Sequence, residues 1–248
     1  MTSDFVYNTE VVDEYSGKTL DELLKVLKVH DFDSFSYSFY VGVFNYAIGK
    51  EFNVQANKIF FSPKETLLSG FFHDIGKLGM SRDFLRFEGK YNLEMFQEMK
   101  KHAMCGYEIL KKSKESPRET ANTAGYHHCN IDGSGYPGGL FRQDIPAYAR
   151  LTRISDSVDA FLTRRCYKEG GPAHDAYNDL KNYVSSSYDP NFLEAFRTVH
   201  LNVMDECHRI GEDRPSRDLY LDFLIKLYVD IPYLKEPNAM FKFLEEEV

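Results

Sequence analysis

Helix-start signals restrict the fold of this chain more than any other feature. The capping-box pattern, Ser or Thr followed three residues later by Glu, occurs at residues 19–22, 62–65 and 116–119. Pro63 places a proline at the first helical position of the second pattern, and Asn92 is a further cap, before a helix that runs to about Lys112. Apolar residues follow these signals at helical spacing, and no pair of segments alternates as strands do. The sequence therefore predicts an all-α fold.

The other helix and loop signals divide the chain into one core and two short additions. Helices are predicted from Pro146 to about residue 163, after Pro190 and after Ser216. The helix that follows Ser116 should end near His128, and a loop with four Gly at residues 133–139 comes next. No linker splits the chain. We therefore expect a core domain at residues 31–200, with helical additions at 1–30 and 201–248.

Composition excludes several classes of function. The 248 residues carry a formal net charge of -8, which disfavours a general nucleic-acid binder, because phosphate contacts dominate that kind of affinity. No apolar run approaches the roughly 20 residues of a membrane span, and the N-terminus has no signal-peptide pattern. The four cysteines are widely spaced and form no CxxC pair, as expected for reduced thiols. We therefore expect a cytoplasmic protein that binds neither nucleic-acid polymers nor membranes.

Histidine and aspartate residues gather at the ends of predicted helices or within them. They are His73, Asp74, His102, His127, His128 and Asp156. Imidazole and carboxylate groups together suit iron, manganese, zinc or nickel. Asp74 can bridge two metals about 3.5–4 Å apart, and such a pair lowers the pKa of a bridging water and polarises a phosphoryl oxygen. Each element alone also has an ordinary explanation, either a satisfied core histidine or a favourable His pair at a helix C-terminus.

A longer pattern connects these residues. His73-Asp74-Ile75-Gly76-Lys77 is followed by His102, by His127-His128, and then by Asp132-Gly133 and Gly135-Tyr136-Pro137. The order continues through Asp156, Asp159, Arg165 and Lys168. This composite pattern, over roughly residues 30–200, resembles the HD-GYP subfamily of the HD phosphohydrolase superfamily.

The resemblance implies an HD-superfamily helical bundle that holds two divalent metals, iron or manganese first, with zinc, nickel and magnesium left open. It implies hydrolysis of a cyclic dinucleotide in bacterial signalling, with cyclic di-GMP first and cyclic GMP-AMP second. Residues matching the family's metal ligands are His73, Asp74, His102, His127, His128 and Asp156. Asp74 and Lys77 match the catalytic positions. Lys77, Tyr136, Arg165 and Lys168 match the positions that contact substrate.

One expected ligand is replaced in this chain. The family carries a His on an early helix, and Tyr37 stands at that position. His30 lies two helical turns earlier, so it should not reach the same place. Asp33 lies one turn before Tyr37 on the same helix face, where three-metal members carry an acidic ligand, and it is a further candidate. A phenol has an unperturbed pKa near 10 and is a weak ligand at neutral pH. We therefore expect one strong metal site and one weakened site.

Two classes of function follow from this pattern. The first is a metal-dependent cyclic dinucleotide phosphodiesterase. The second is a regulator that has lost hydrolysis through Tyr37, still binds a nucleotide, and signals through a protein partner. Hydrolysis of linear dinucleotides or nucleotides stays open as a third. Cys129 stands where the family usually has Glu, and is either a soft metal ligand or a small buried filler.

Overall fold

Twelve α-helices build the described part of the chain, which in this computed structural model covers residues 9–163, 170–184 and 186–248. These ranges contain no β-strand, so the all-α prediction is confirmed. The first six helices are α1 (Thr9–Glu14), α2 (Leu20–His30), α3 (Phe32–Gln55), α4 (Pro63–Phe72), α5 (Arg82–Leu85) and α6 (Leu93–Lys111). The other six are α7 (Arg118–Tyr126), α8 (Ala147–Leu162), α9 (Ala176–Lys181), α10 (Pro190–Arg209), α11 (Arg217–Tyr228) and α12 (Ala239–Glu247). None of the helices in the described ranges is long and apolar enough to cross a bilayer.

Side-chain caps start several of these helices as predicted. Thr19 and Glu22 form a complete capping box at the start of α2. Ser62 accepts the N–H of Glu65 and caps α4. Asn92 accepts the N–H of Met95 at 2.8 Å and caps α6. Each cap satisfies an N–H that has no partner inside its helix, so these starts are fixed by local sequence.

The capping box predicted at residues 116–119 is wrong. Helix α7 begins at Arg118, its N-cap is Pro117, and no side chain caps it. The Ser116 hydroxyl instead donates to the carbonyl of Pro117 at 3.4 Å. The serine therefore stands one residue too early to accept an N–H of the helix. The later predictions hold, since α8 and α10 begin as expected at Ala147 and Pro190, and α11 is capped by Ser216 as predicted.

Helix α3 lies at the centre of the core. Residues 41–49 of this helix are all buried, and the helix packs against α4, α8 and α10. Most of these residues are apolar, as expected for a helix that is buried on every side, and the polar Asn45 donates to the Thr152 hydroxyl at 2.8 Å. The same buried cluster contains Leu20 and Leu27 of α2, Tyr220 of α11 and Phe243 of α12. Residues of both terminal additions therefore share the core of the central helices.

An ion pair joins the C-terminal addition to α8. Arg217 of α11 donates to the Asp159 carboxylate at 3.0 Å, and 2% of the Asp159 side chain is exposed. The Arg217 guanidinium also lies 4.5 Å from the ring centre of Tyr40 on α3. Because a buried charge is costly without its partner, this contact holds α11 against both α3 and α8.

The buried His200 makes the stability of this core depend on pH. Its Nδ1 lies 3.1 Å from the Tyr220 hydroxyl, and burial lowers the pKa of His200 from 6.5 to about 4. Between pH 6.5 and about 4, His200 therefore binds a proton in the unfolded chain but stays neutral in the folded protein. We expect this residue alone to reduce the free energy of unfolding by about 3 kcal/mol as the pH falls from 7 to 4.

The measurement is urea unfolding at several pH values for the parent protein and for His200→Gln. The variant removes the titrating group and keeps a polar side chain next to Tyr220. Its stability should fall less steeply below pH 6.5 than that of the parent. Parallel pH profiles for the two proteins would contradict the assignment.

Candidate metal centre

His73 and Asp74 lie where α4 ends and a 3₁₀ helix, Ile75–Gly79, begins. An added Cβ at Gly76 would lie 1.9 Å from the carbonyl oxygen of His102. Only glycine permits so close an approach of two backbones. The close approach brings α6, which carries His102, against the turn that carries Asp74.

Four side chains converge at this turn. One ligand atom from each of Asp74, His102, His127 and His128 lies within 4.8 Å of the others. The Asp74 Oδ1 atom is 3.2 Å from His102 Nε2 and 3.9 Å from His127 Nε2. Three of the residues are buried and His128 is half-buried. We call these four residues the histidine group.

Backbone carbonyls determine which nitrogen faces the histidine group. His102 Nδ1 lies 2.6 Å from the carbonyl oxygen of Met99, and His127 Nδ1 lies 3.0 Å from that of Ala124. A carbonyl oxygen only accepts, so each Nδ1 carries the hydrogen and each Nε2 presents a lone pair.

The two Nε2 atoms lie 3.4 Å apart, with no hydrogen between them in these tautomers. Two lone pairs held this close inside a buried pocket favour a cation between them. Histidines at metal sites also donate their second N–H to a carbonyl or a carboxylate in this way. The residues present therefore fit a divalent metal.

Burial keeps the imidazoles of the histidine group neutral. It lowers the pKa of His127 to about 3 and the pKa of His128 well below its usual value, and neighbouring imidazoles add to both shifts. Burial also lowers the pKa of His102, against the charge of Asp74. Metal binding requires neutral imidazole, so these three side chains are in the competent state at neutral pH.

Asp74 is held in its charged form. Burial acts to raise its pKa, but the charges of Lys77 and His73 hold the pKa of this carboxyl well below its usual range. The Lys77 ammonium is 2.6 Å from Asp74 Oδ2. The carboxylate is therefore available as an anionic ligand throughout the neutral range.

His73 and Asp156 form a second set of candidate donors beside Asp74, and the centre of the His73 ring lies 5.0 Å from that of the His127 ring. His73 Nε2 lies 3.4 Å from Asp74 Oδ2 and 3.9 Å from Asp156 Oδ1. Its Nδ1 donates to the carbonyl of Gly70 at 2.7 Å, which turns Nε2 toward the carboxylates. Burial opposes protonation of His73, but Asp74 and Asp156 outweigh it and raise its pKa. The two oxygens of Asp74 thus have different neighbours: Oδ1 faces the histidine group, and Oδ2 faces the Lys77 ammonium and His73.

The residues predicted on the early helix are placed differently. Tyr37 is half-buried on α3. Asp33 is exposed in the first turn of α3 and is not part of the histidine group, so its role as a ligand stays a prediction. His30 Nε2 lies 2.8 Å from the Met80 carbonyl oxygen, to which it donates, as fits a residue that does not replace the missing histidine.

The residues predicted to contact substrate are only partly described. Arg165 and Lys168 were predicted to contact phosphate, and both lie outside the described residues. Lys77 and Tyr136 are described, and both adjoin residues of the histidine group.

Tyr136 forms a wall beside His128. An added Cβ at Gly135, where φ is +84°, would lie 2.2 Å from the His128 carbonyl oxygen. The Tyr136 N–H donates to the same carbonyl at 3.2 Å, and its ring stacks on His128 with 4.5 Å between centres. Burial raises the pKa of Tyr136 above its usual value, so the phenol stays protonated. The glycine loop therefore supplies a neutral aromatic surface to the site.

Cys129 lies behind this wall. Its side chain is buried, and its thiol donates to the carbonyl of Tyr136 at 3.4 Å. Burial raises the pKa of the thiol, which disfavours the thiolate that binds metals. Cys129 is also not a member of the histidine group. These observations favour the buried filler over the soft ligand.

Sequence reasoning missed Lys100 on α6. Its ammonium lies 4.7 Å from the ring centre of Phe96 and 5.7 Å from that of Tyr136. Lys100 belongs to no motif, and the sequence does not distinguish it from the adjacent Lys101, which has the same side chain. Only the direction in which each side chain leaves the helix separates the two lysines.

Comparison with known proteins gives similarity across the middle of the chain. The HD domain family matches residues 58–192. A cyclic di-GMP phosphodiesterase of Thermotoga maritima is 33% identical over 147 residues, which are 59% of this chain and 40% of that protein. The 3'3'-cGAMP-specific phosphodiesterase 2 of Vibrio cholerae is 34% identical over 123 residues, which are 49% of this chain and 24% of that protein.

A solved structure extends the similarity to the fold. Bd1817, an HDG"Y"P protein from Bdellovibrio bacteriovorus, superposes with a TM-score of 0.52 at 20% identity, over 71% of this chain and 56% of that chain. At this identity the similarity concerns the fold alone. The chain spans less than half the length of the curated relatives it matches first.

Proposed function

We propose, from the premise that this chain belongs to the HD domain family and within it to the HD-GYP subfamily, that it hydrolyses a cyclic dinucleotide with the help of bound divalent metals. The relatives' names support a cyclic dinucleotide as substrate, with cyclic di-GMP ahead of 3'3'-cGAMP. Iron or manganese is the proposed metal, because both accept mixed imidazole and carboxylate ligands.

The position of Asp74 is the observation that supports this proposal most strongly. Its Oδ1 atom faces His102 and its Oδ2 atom lies 3.4 Å from His73. A carboxylate in this position could serve as a ligand to two divalent metals, which would polarise a phosphoryl oxygen and activate water. We assign one metal to the histidine group, and a second, weaker one to His73, Asp74 and Asp156.

The residues of the site have distinct roles in the proposed reaction. Divalent metals, when bound here, supply Lewis-acid polarisation of the phosphoryl oxygen and activation of water. Lys77 keeps Asp74 anionic through their ion pair. Tyr136 offers the substrate an aromatic face and a protonated hydroxyl. The buried histidines exclude bulk water, which strengthens every charge interaction within the site.

The test of this proposal is hydrolysis by protein loaded anaerobically with Fe(II) or Mn(II). Cyclic di-GMP and 3'3'-cGAMP are supplied separately, and products are followed by chromatography. The control is the double variant His73→Ala/Asp74→Ala. Linear dinucleotide or mononucleotide that forms only with the parent protein would support the proposal. A folded, metal-loaded parent that forms no product would reject it.

A second candidate function rests on Tyr37, the residue in place of the family's early histidine. With a weakened second site, the protein would bind the nucleotide without efficient hydrolysis and would act as a regulator of a protein partner. The two candidates predict different results for the metal-loaded parent protein: the enzyme hydrolyses the cyclic dinucleotide, and the regulator binds it with little or no hydrolysis. Substitution of Tyr37 tests whether this residue causes the difference.

We expect Tyr37→His to increase both the bound metal per chain and the rate of hydrolysis. An imidazole offers a neutral nitrogen at pH 7, whereas a phenol must first lose its proton. The rate should rise at least about tenfold. Loss of a residue that only hydrogen-bonds a metal ligand costs about 10- to 100-fold in affinity or activity, so restoring a ligand should gain at least the lower value. Metal content and the rate on cyclic di-GMP are measured together. Tyr37→Phe is the control, and equal behaviour of the His and Phe variants would show that Tyr37 is not the limiting residue.

A further inference from the structure

Lys100 is a cation on the aromatic wall of the proposed site. It lies two residues before His102 on α6 and is half-buried. The Lys100 ammonium contacts the rings of Phe96 and Tyr136, at 4.7 Å and 5.7 Å from their centres. The Tyr136 ring in turn stacks on His128. The Tyr136 ring therefore contacts both the ammonium and a member of the histidine group.

The ammonium of Lys100 differs from the other lysines around it. Lys77 is engaged with Asp74 at 2.6 Å, and Lys101 is paired with Glu98 at 2.5 Å. Lys100 has no carboxylate within 4.0 Å among the described residues. Within the part of the chain that the structure describes, no carboxylate therefore compensates its charge. Contacts with aromatic rings hold the ammonium without neutralising it.

A cyclic dinucleotide brings two phosphodiesters, and each carries a negative charge. When one is placed against Asp74 and the histidine group, the second must lie farther out, because both belong to one ring. The protein is acidic overall, with a formal net charge of -8, so the second phosphate needs a local cation, and Lys100 is a described candidate in addition to the predicted phosphate contacts Arg165 and Lys168. The half-buried ammonium of Lys100 stands beside the wall that the substrate would contact.

We propose that Lys100 binds the second phosphate of the cyclic dinucleotide, the one that is not cleaved in the same step. This inference rests on the proposed function and names a specificity residue for it. The contact would favour a substrate with two phosphodiesters over one with a single phosphodiester. Lys100 takes no part in bond breaking, so its effect belongs to binding.

The experiment compares Lys100→Gln with Lys101→Gln in Mn(II)-loaded protein. One substrate is cyclic di-GMP, and the other is bis(p-nitrophenyl) phosphate, which has only one phosphodiester. Lys100→Gln should raise KM and Kd for cyclic di-GMP about tenfold, the effect of one lost hydrogen bond to a charged group. The kcat on cyclic di-GMP and the rate on the single phosphodiester should stay unchanged. Lys101→Gln should match the parent on both substrates, and Lys100→Arg should restore most of the affinity.

Other outcomes would overturn the inference. Equal losses on both substrates would show that Lys100 only supports Tyr136 or the fold. Unchanged affinity for cyclic di-GMP would show that Lys100 does not touch it. If the parent binds cyclic di-GMP without hydrolysing it, the enzyme proposal fails, and the ratio of Kd values for Lys100→Gln and parent still decides the role of Lys100. If the parent does not bind it at all, both proposals fail.

Discussion

An Asp74→Asn variant is expected to lose at least about 1000-fold in phosphodiesterase activity and to keep its helical fold. Asn offers one neutral oxygen where Asp74 presents two charged ones, toward His102 and toward His73. The ligand that we propose both donor sets share is therefore lost. Metals contribute several kcal/mol to such reactions, and about 4 kcal/mol corresponds to 1000-fold in rate.

The measurement combines turnover of cyclic di-GMP, metal content and circular dichroism on the same preparations. The control is Asp83→Asn, because Asp83 is exposed on α5 and lies outside both donor sets. This control should retain the activity and the metal of the parent. A folded Asp74→Asn protein with full metal content and parental turnover would rule out Asp74 as the shared ligand.

Much of the fold was predictable because helix starts are local events. The caps at Thr19, Ser62 and Asn92 depend on residues within one turn, so the sequence alone specifies them. The prediction at Ser116 failed because two competing signals stand side by side. Pro117 took the N-cap position, and the hydroxyl of Ser116 turned to a carbonyl instead.

The candidate site was predictable to the extent that one composite motif encodes it. His73, Asp74 and the His pair 127–128 are weak signals alone, and the resemblance of the whole ordered pattern to the HD-GYP subfamily made them candidate ligands. The choice of Nε2 as the facing nitrogen was not predictable, because it depends on the carbonyls of Met99 and Ala124. Lys100 was not predicted for a similar reason, since the role that we propose for it depends on a loop about 36 residues away in sequence.

The contact of Gly76 with His102 shows how the fold and the site depend on one another. The 3₁₀ helix at Ile75–Gly79 packs against α6 along this contact. An added Cβ at Gly76 would lie 1.9 Å from the His102 carbonyl oxygen and 2.4 Å from the backbone N of Gly106. Both neighbours are backbone atoms of α6, so no side-chain rotation relieves the clash. The helix itself must move away from Asp74.

We expect Gly76→Ala to lower the free energy of unfolding by about 3 kcal/mol, the upper part of the range for overpacked cores, and to weaken metal binding. The matched comparison is Gly106→Ala on the other side of the contact, where the added Cβ would come no closer than 3.0 Å to the Gly76 nitrogen. Gly106→Ala should lower the free energy of unfolding by clearly less.

Urea unfolding of the metal-free proteins measures stability, and Mn(II) titration measures affinity for the metal. The Nε2 atom of His102 lies 3.2 Å from Asp74 Oδ1 only while α6 stays in place. Gly76→Ala should therefore lose Mn(II) affinity even in the fraction of the protein that is folded. Parental affinity in folded Gly76→Ala would mean that the histidine group does not depend on this backbone contact.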